Sequence, residues 1–516
     1  MLSHTKNFPF FIFYYYSSMA IEDASILMVF ILFISFICTF IFYKTKVLCR
    51  CKICHAYITS SWSYEFDNLC DWYTHLLQNS PTKTIHIHVL HNTITSDHQN
   101  VEYMLKTRFE NYPKGKGFSA ILGDFLGRGI FNVDGEYWRF QRKMASLELG
   151  KMSIKSHAYE VVNYEIDHRL IPLISAFSRK EHGVLDFQDV FRRFSFDVIC
   201  KFSFGYDPKC LHESLPMSEL AIAFDLASQL SAQRAMTTSP LVWKIKRLFN
   251  VGSEKRLKES IKMVNKFAQE VIRQRNKLGC CSNHEDLLSR FMDKTKDPIY
   301  LRDIVISFLL AGRDTVASSL TGLFWLLAQQ PEVVAAIRAE ALMVTQRESL
   351  TSLEQLHQLH YLQAVVYEGM RLFPPIQFNS KFCQHDDTLP DGTFVKKGTR
   401  VTYHSYAMGR METIWGPDCL VFKPERWLKD GVFYQETPFM YPVFQAGYRM
   451  CLGKEMALVE LKSVILSLLQ RFDFELAHPS RAPRFSPGLT ATFRDGLPVR
   501  VSERRGQTSK PHVSTS

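Results

Sequence analysis

The pattern of apolar positions opens on Ala24 to Tyr43, twenty residues without a charge, long enough as a helix to cross a bilayer core of about 30 Å. Glu22 and Asp23 precede the run and Lys44, Lys46, Arg50 and Lys52 follow it, so the positive-inside bias places the bulk of the chain in the cytosol. Phe40 to Tyr43 is a poor cleavage site, which argues for a retained anchor over a removed signal peptide. The chain therefore divides into an extension (1–23, with Met19 a second candidate start), an anchor (24–43), a basic linker (44–59), one large domain (60–502) and a polar tail (503–516). Within the domain, Thr84 to Leu90 alternates with period two, predicting a strand with Ile85, Ile87 and Val89 on one face and His86 and His88 on the polar one. A helix is predicted near His98 to Arg108, further helices over residues 155–290, and one long helix from Asp303 to Gln330, closed by Pro331 and spanning roughly 42 Å. Asp391-Gly392 and Lys397-Gly398 read as hairpin turns, and Met456 to Leu469 as a regular apolar helix.

Composition narrows the class. Hydrophobic content of 46% with 40 phenylalanines excludes a disordered chain, and 22% charged residues is ordinary for a globular protein. The net charge of +11 fits an anionic membrane surface or an acidic protein partner. Basic residues do not cluster with aromatics, which argues against nucleic acid; the basic face of Lys255 to Arg275 reads as a solvated one. Twelve cysteines are too sparse for a disulfide scaffold. Cys49-x-Cys51-x-x-Cys54-His55 has zinc-ligand residue types but no second pair at finger spacing, and acylation or no role are the other readings. His86, His88 and His91 lack a nearby carboxylate, so a solvated face is the simpler account of them.

The chemistry gathers at Phe444-Gln-Ala-Gly447-Tyr-Arg449-Met-Cys451-Leu-Gly453. A cysteine presented by a glycine-punctuated loop at the start of an apolar helix is placed to give a thiolate to iron, helped by the helix dipole. Gly447 and Gly453 would let a flat macrocycle approach the backbone, Phe444 would cover one face of it, and Arg449 would reach an anionic propionate. Trp138 and Arg142, spaced i, i+4 on a predicted helix, share a face and could bond the same group. In the long helix, Ala311 and Gly312 leave room beside the backbone, while Asp314 and Thr315 supply adjacent proton-handling groups. Glu368 and Arg371, three apart, form a pair to which Arg426 is a second arginine.

Taken together and in this order, Trp138-x-x-x-Arg142, Ala311 to Thr315, Glu368-x-x-Arg371 with Arg426, and the Cys451 loop resemble a microsomal cytochrome P450 over roughly residues 60–502. The resemblance implies one mainly α domain with small β-sheets after an N-terminal transmembrane helix. It also implies haem b with Cys451 as axial ligand, Thr315 and Asp314 as proton-relay residues, and a structural ion pair of Glu368, Arg371 and Arg426. Electrons would come from NADPH through a cytochrome P450 reductase, at the endoplasmic reticulum membrane, with a single pass and a cytosolic catalytic domain. Gly127 to Asn132, Ala311 to Thr315 and Phe422 to Trp427 are similar to the plant fatty-acid omega-hydroxylase group. Phe66 to Tyr73 and Ser307 to Leu310 are closer still to its branch that oxidises jasmonoyl-isoleucine and its 12-hydroxy form to the 12-carboxy compound. The expected substrate is accordingly a small amphipathic carboxylic acid oxidised at its far end, with fatty-acid omega-hydroxylation as the alternative. Three departures stand out: Tyr448 where proline is common, no proline-rich hinge after the anchor, and Val316 where a second threonine is frequent. Two readings of other classes compete. An oxygen-independent haem isomerase would not need Asp314 and Thr315, and a non-catalytic haem- or zinc-binding membrane protein would consume no NADPH.

Overall fold

The computed structural model describes residue 49 and residues 51–504 except 181–182, 212–218, 279–285 and 346–351, with six isolated positions between 28 and 36. Those six, Met28, Val29, Leu32, Phe33, Ser35 and Phe36, are helical and exposed; the rest of the expected anchor, the extension before it and the tail after Arg504 lie outside the described residues.

The described chain is mainly helical, with one four-stranded sheet and several smaller ones. In the main sheet Thr84–Ile87 pairs antiparallel with Asn92–Thr95, which runs parallel to Arg400–Tyr403, itself antiparallel to Asn379–Phe382. The first strand stops at Ile87 instead of Leu90, because His88–Leu90 tightens into a 3₁₀ turn that ends on His91 at φ 47°. Ile85, Ile87 and Val89 are buried as the alternation predicts. His86 and His88 stack on each other 6.1 Å apart and gather no third ligand among the described residues. Asp391-Gly392 turns a short hairpin (Asp387–Thr388 with Phe394–Val395). Lys397-Gly398 does not: the strand after it joins the main sheet instead.

The long helix is the centre of the core. It runs from Pro298 to Leu327 and is 67% buried in its most apolar window. It begins five residues before the expected Asp303, since Asp297 caps the Ile299 N–H at 2.9 Å and Pro298 takes the first helical position, where its missing N–H costs nothing. It ends at Leu327, not Gln330. Phe324 packs tilted on Phe191 at 5.1 Å and edge-on to Phe187 at 5.5 Å and Phe474 at 5.3 Å, tying the long helix to Phe187–Phe204 and to the C-terminal sheet. Residues Leu310–Asp314 form a π turn, one residue wider than an α turn. That wide turn carries the Ala311-Gly312-Arg313-Asp314 motif.

Candidate active site

Cys451 stands at the end of a tightly hydrogen-bonded loop. Its N–H donates to the Phe444 carbonyl at 2.8 Å, and Met450 N–H to Gly447 at 3.2 Å. Three residues on, Lys454–Arg471 begins, with Gly453 as its cap, and the Gly453 N–H points at the Cys451 sulfur. Burial raises the thiol pKa, opposed by that N–H, by Arg142 and by Lys454. Yet Cys451 is the one exposed residue among the described cysteines. A group surrounded by protein yet accessible is one that faces an internal space. A Cβ at Gly453 would meet nothing within 4 Å, so room is left there for a planar group. Gly447 has a different reason. At φ 61° it adopts a left-handed conformation, and a Cβ would collide with the Leu105 carbonyl; it serves packing against the chain, not against a macrocycle. The Tyr448 ring lies edge-on to Phe109 at 5.1 Å.

Glu368, Arg371 and Arg426 come together in a buried hub. Arg371 donates two hydrogen bonds of 2.8 Å to Glu368, with both side chains wholly buried. Its remaining N–H groups reach the carbonyls of Gly409, Cys419 and Val421. Glu368 also accepts from Trp427 Nε1 and from Lys423 N–H, each at 2.9 Å, and Arg426 lies 3.4 Å away. Every lone pair is used, which is what makes a buried charge pair tolerable. The hub pins the helix His360–Leu372 to the segment that leads into the Cys451 loop.

On the long helix, Thr315 Oγ1 donates back to the Ala311 carbonyl, leaving its oxygen free to accept. Asp314, buried, does not pair with Thr315. Its carboxylate accepts from Arg313 at 2.9 Å, and Arg313 also pairs with Asp225, which faces Arg192 at 3.7 Å. Burial lifts the Asp314 pKa to about 6 against the pull of Arg313, with Asp225 lifting it further and Arg192 opposing. Gly312 leaves no open room: its missing Cβ is the seat of Ile199.

A family model for cytochrome P450 matches residues 65–494. The chain belongs to the cytochrome P450 family. It is 58% identical over 464 residues to cytochrome P450 94C1 of Arabidopsis thaliana, covering 88% of this chain and 94% of that protein. It is 46% identical to cytochrome P450 94B1 of the same plant (84% of this chain, 88% of the relative) and 41% identical to cytochrome P450 94A1 of Vicia sativa (84% and 86%). The resemblance to the plant omega-hydroxylase group is borne out at the level of the 94 group. The protein is a P450 monooxygenase, and the family carries haem iron.

Whether this P450 fits a haem with two carboxylates is tested by its buried cations. Lys381 is wholly buried and its Nζ has no partner; burial, then Lys114 and Arg449, push its pKa far below the usual range. Lys114, also buried, is lowered to about 7 by burial and Arg449, opposed by Asp134, though Nζ reaches Asn379 at 3.0 Å. Arg449 sits over the Trp138 ring at 4.5 Å and donates to Val133 and Asp134, while its Nε is unpartnered; burial lowers its pKa to about 10. Arg142, on the same helix as Trp138 (Gly135–Leu149), is near enough to Cys451 to act on its pKa. Three cations, Lys114, Lys381 and Arg449, gathered around one carboxylate, Asp134, are an arrangement short of negative charge, which haem propionates would supply. Lys114 and Lys381 were not legible in the sequence: a lysine after Pro113 reads as loop, and one between Ser380 and Phe382 reads as solvated.

A further cation lies away from this cluster. Arg400 on the main sheet donates Nη1 to the Ala235 carbonyl at 2.8 Å, its Nε has no partner, and among the described residues no carboxylate pairs with it. Burial lowers its pKa, countered by Tyr73 and Tyr57.

Proposed function

We propose that this P450 oxidises the far end of an amphipathic carboxylic acid, with 12-hydroxy-jasmonoyl-isoleucine, and jasmonoyl-isoleucine before it, as the substrates taken to the 12-carboxy product. Arg400 carries the reading: a half-buried guanidinium whose Nε is buried without a partner, and with no carboxylate paired to it among the described residues, is stabilised by one that arrives with the substrate. Burial of the chain at about 0.8 kcal/mol per CH₂ would hold the rest, leaving the distal carbon for oxidation. Haem held through Cys451 supplies the oxygen activation, with electrons from NADPH through the reductase. The chain's own residues do what remains. Lys114, Lys381, Arg142, Arg449 and Trp138 would hold the propionates. Thr315 Oγ1, bonded back to Ala311, accepts from a water and positions it, and Asp314, holding its proton near pH 6, is the reservoir that resupplies it. Membrane attachment through residues 24–43, facing the cytosol from the endoplasmic reticulum, is supported by Met28, Val29, Leu32, Phe33 and Phe36, which are helical and exposed.

The test is turnover of the reconstituted enzyme on the acids and their methyl esters. The ester should raise KM sharply, and Arg400→Met should raise the KM of the acid toward that of the ester with kcat little changed. Equal KM values for acid and ester would overturn the carboxylate contact. Oxidation of fatty acids with the conjugates untouched would favour omega-hydroxylation of fatty acids.

A further inference from the structure

The strongest feature that the P450 chemistry leaves unused is at the other end of the domain. The sulfurs of Cys49, Cys51 and Cys54 all lie within 4.8 Å of one another, and those of Cys49 and Cys51 are 3.5 Å apart. Sulfurs on a tetrahedral zinc are separated by about 3.8 Å, given a Zn–S distance of about 2.3 Å, so the three reach that geometry by small side-chain rotations. Burial pushes the Cys54 thiol up to about 12, so a metal has to displace that proton, and backbone N–H groups are aimed at two of the sulfurs. Cys51 caps the helix Lys52–Thr59, and its Sγ accepts the Cys54 N–H at 3.4 Å. The Val89 N–H is directed at the Cys54 sulfur. Cys54 itself is wholly buried beside Trp72, Tyr73, Leu77 and Val89, so one ligand is fixed by the core while the other two lie at its edge.

We propose that Cys49, Cys51 and Cys54 bind one thiophilic divalent cation of the zinc type as a trithiolate, with the fourth position open to solvent or an exchangeable ligand. Three S–H protons leave to solvent as three M–S bonds form, and the metal keeps its oxidation state. The site staples the segment leaving the anchor to the domain. The helix it initiates packs on the main sheet, and its Tyr57 hydroxyl donates to the Met236 carbonyl at 2.8 Å, at the end of Glu219–Met236. A cation here would therefore fix the exit of the membrane segment relative to both, a rigidity that the missing proline-rich hinge does not provide.

Full-length holoenzyme, anchor included, is reduced, freed of metal in detergent and incubated with Zn²⁺ before alkylation and peptide mapping. Zn²⁺ should protect all three cysteines, add one zinc per haem, and slow tryptic cleavage at Lys52. With Cd²⁺ in its place a thiolate-to-metal absorption should appear in the ultraviolet and be lost in Cys51→Ser and Cys49→Ser, which spare the buried Cys54; Cys419→Ser should retain it. Alkylation at the same rate with and without Zn²⁺ would overturn the proposal. So would a mass lower by two hydrogens, which marks a disulfide, or a thioester-linked acyl chain on these residues.

Discussion

At the residue scale the informative groups are the ones whose charge is unpaid for by the protein alone. Lys381 is buried with an unpartnered Nζ, so its charge is costly until an anion arrives. Lys381→Met should then act with opposite signs in two states: haem should dissociate several-fold faster, while the haem-free protein should become more stable. Haem transfer to apomyoglobin and thermal melts of both forms measure the two, and a change of the same sign in each would remove Lys381 from the propionate contacts. Asp314 gives a pH test. Its folded pKa of about 6 lies above that of the unfolded chain, so the folded state binds the extra proton. The stability it contributes is full below the unfolded value and is lost as pH rises through about 6. Asp314→Asn cannot titrate. Between pH 5 and 7.5 the melting temperature of the native protein should therefore fall relative to that of the variant, a difference of order 2 kcal/mol at most. Parallel curves would mean that Arg313 compensates the carboxylate fully. Cys451, Thr315 and Glu368 could be picked out of the sequence as candidates because motif spacing singles them out. The sequence hid Lys381, Lys114 and Arg400, since their burial is decided by strands and loops from distant parts of the chain.

At the element scale, packing explains a residue that the motif alone misassigns. Gly312 reads as making space beside the long helix, whereas the space is already filled by Ile199 from the helix Phe187–Phe204. The same two helices are joined by the Ser195 hydroxyl, which donates at 2.9 Å to the Arg313 carbonyl within the π turn. Gly312→Ala should therefore cost about 1–3 kcal/mol by overpacking and disturb the turn that presents Thr315. Ile199→Ala, which alone leaves a cavity, should relieve it in the double variant, so that the two changes together cost less than their sum. Additive losses, read from thermal melts and from hydrogen peroxide released per NADPH, would show that the glycine acts on something other than Ile199. Helix type was legible from periodicity along this segment; its start was missed although Asp297-Pro298 spells a cap and a first turn. The π turn has no periodicity signal, because its extra residue is stabilised by a neighbouring helix.

At the scale of the whole molecule, charge and exposed apolar surface would decide how the domain meets a bilayer under the proposed membrane attachment. Beyond the proposed anchor, the helix Pro240–Leu248 buries only Trp243 and exposes Leu241, Val242 and Ile245, with Leu248 78% and Phe249 69% exposed at its end. Lys244, Lys246 and Arg247 flank those side chains. Apolar side chains ringed by cations suit the interface of an anionic membrane, where the chains enter the acyl boundary and the cations meet headgroups. The linker helix reaches the same side of the domain through Tyr57 and Met236, four residues before Pro240, so anchor and patch would engage one bilayer. Deleting residues 1–43 should thus release most of the protein in a carbonate wash yet leave weak, salt-sensitive binding to anionic vesicles. Leu248→Glu with Phe249→Glu in the truncated chain should abolish that remainder, and in the full chain should leave it membrane-bound. Undiminished binding of the truncated double variant would place the second contact elsewhere, and full retention of the simple truncation after carbonate would require another membrane-embedded segment.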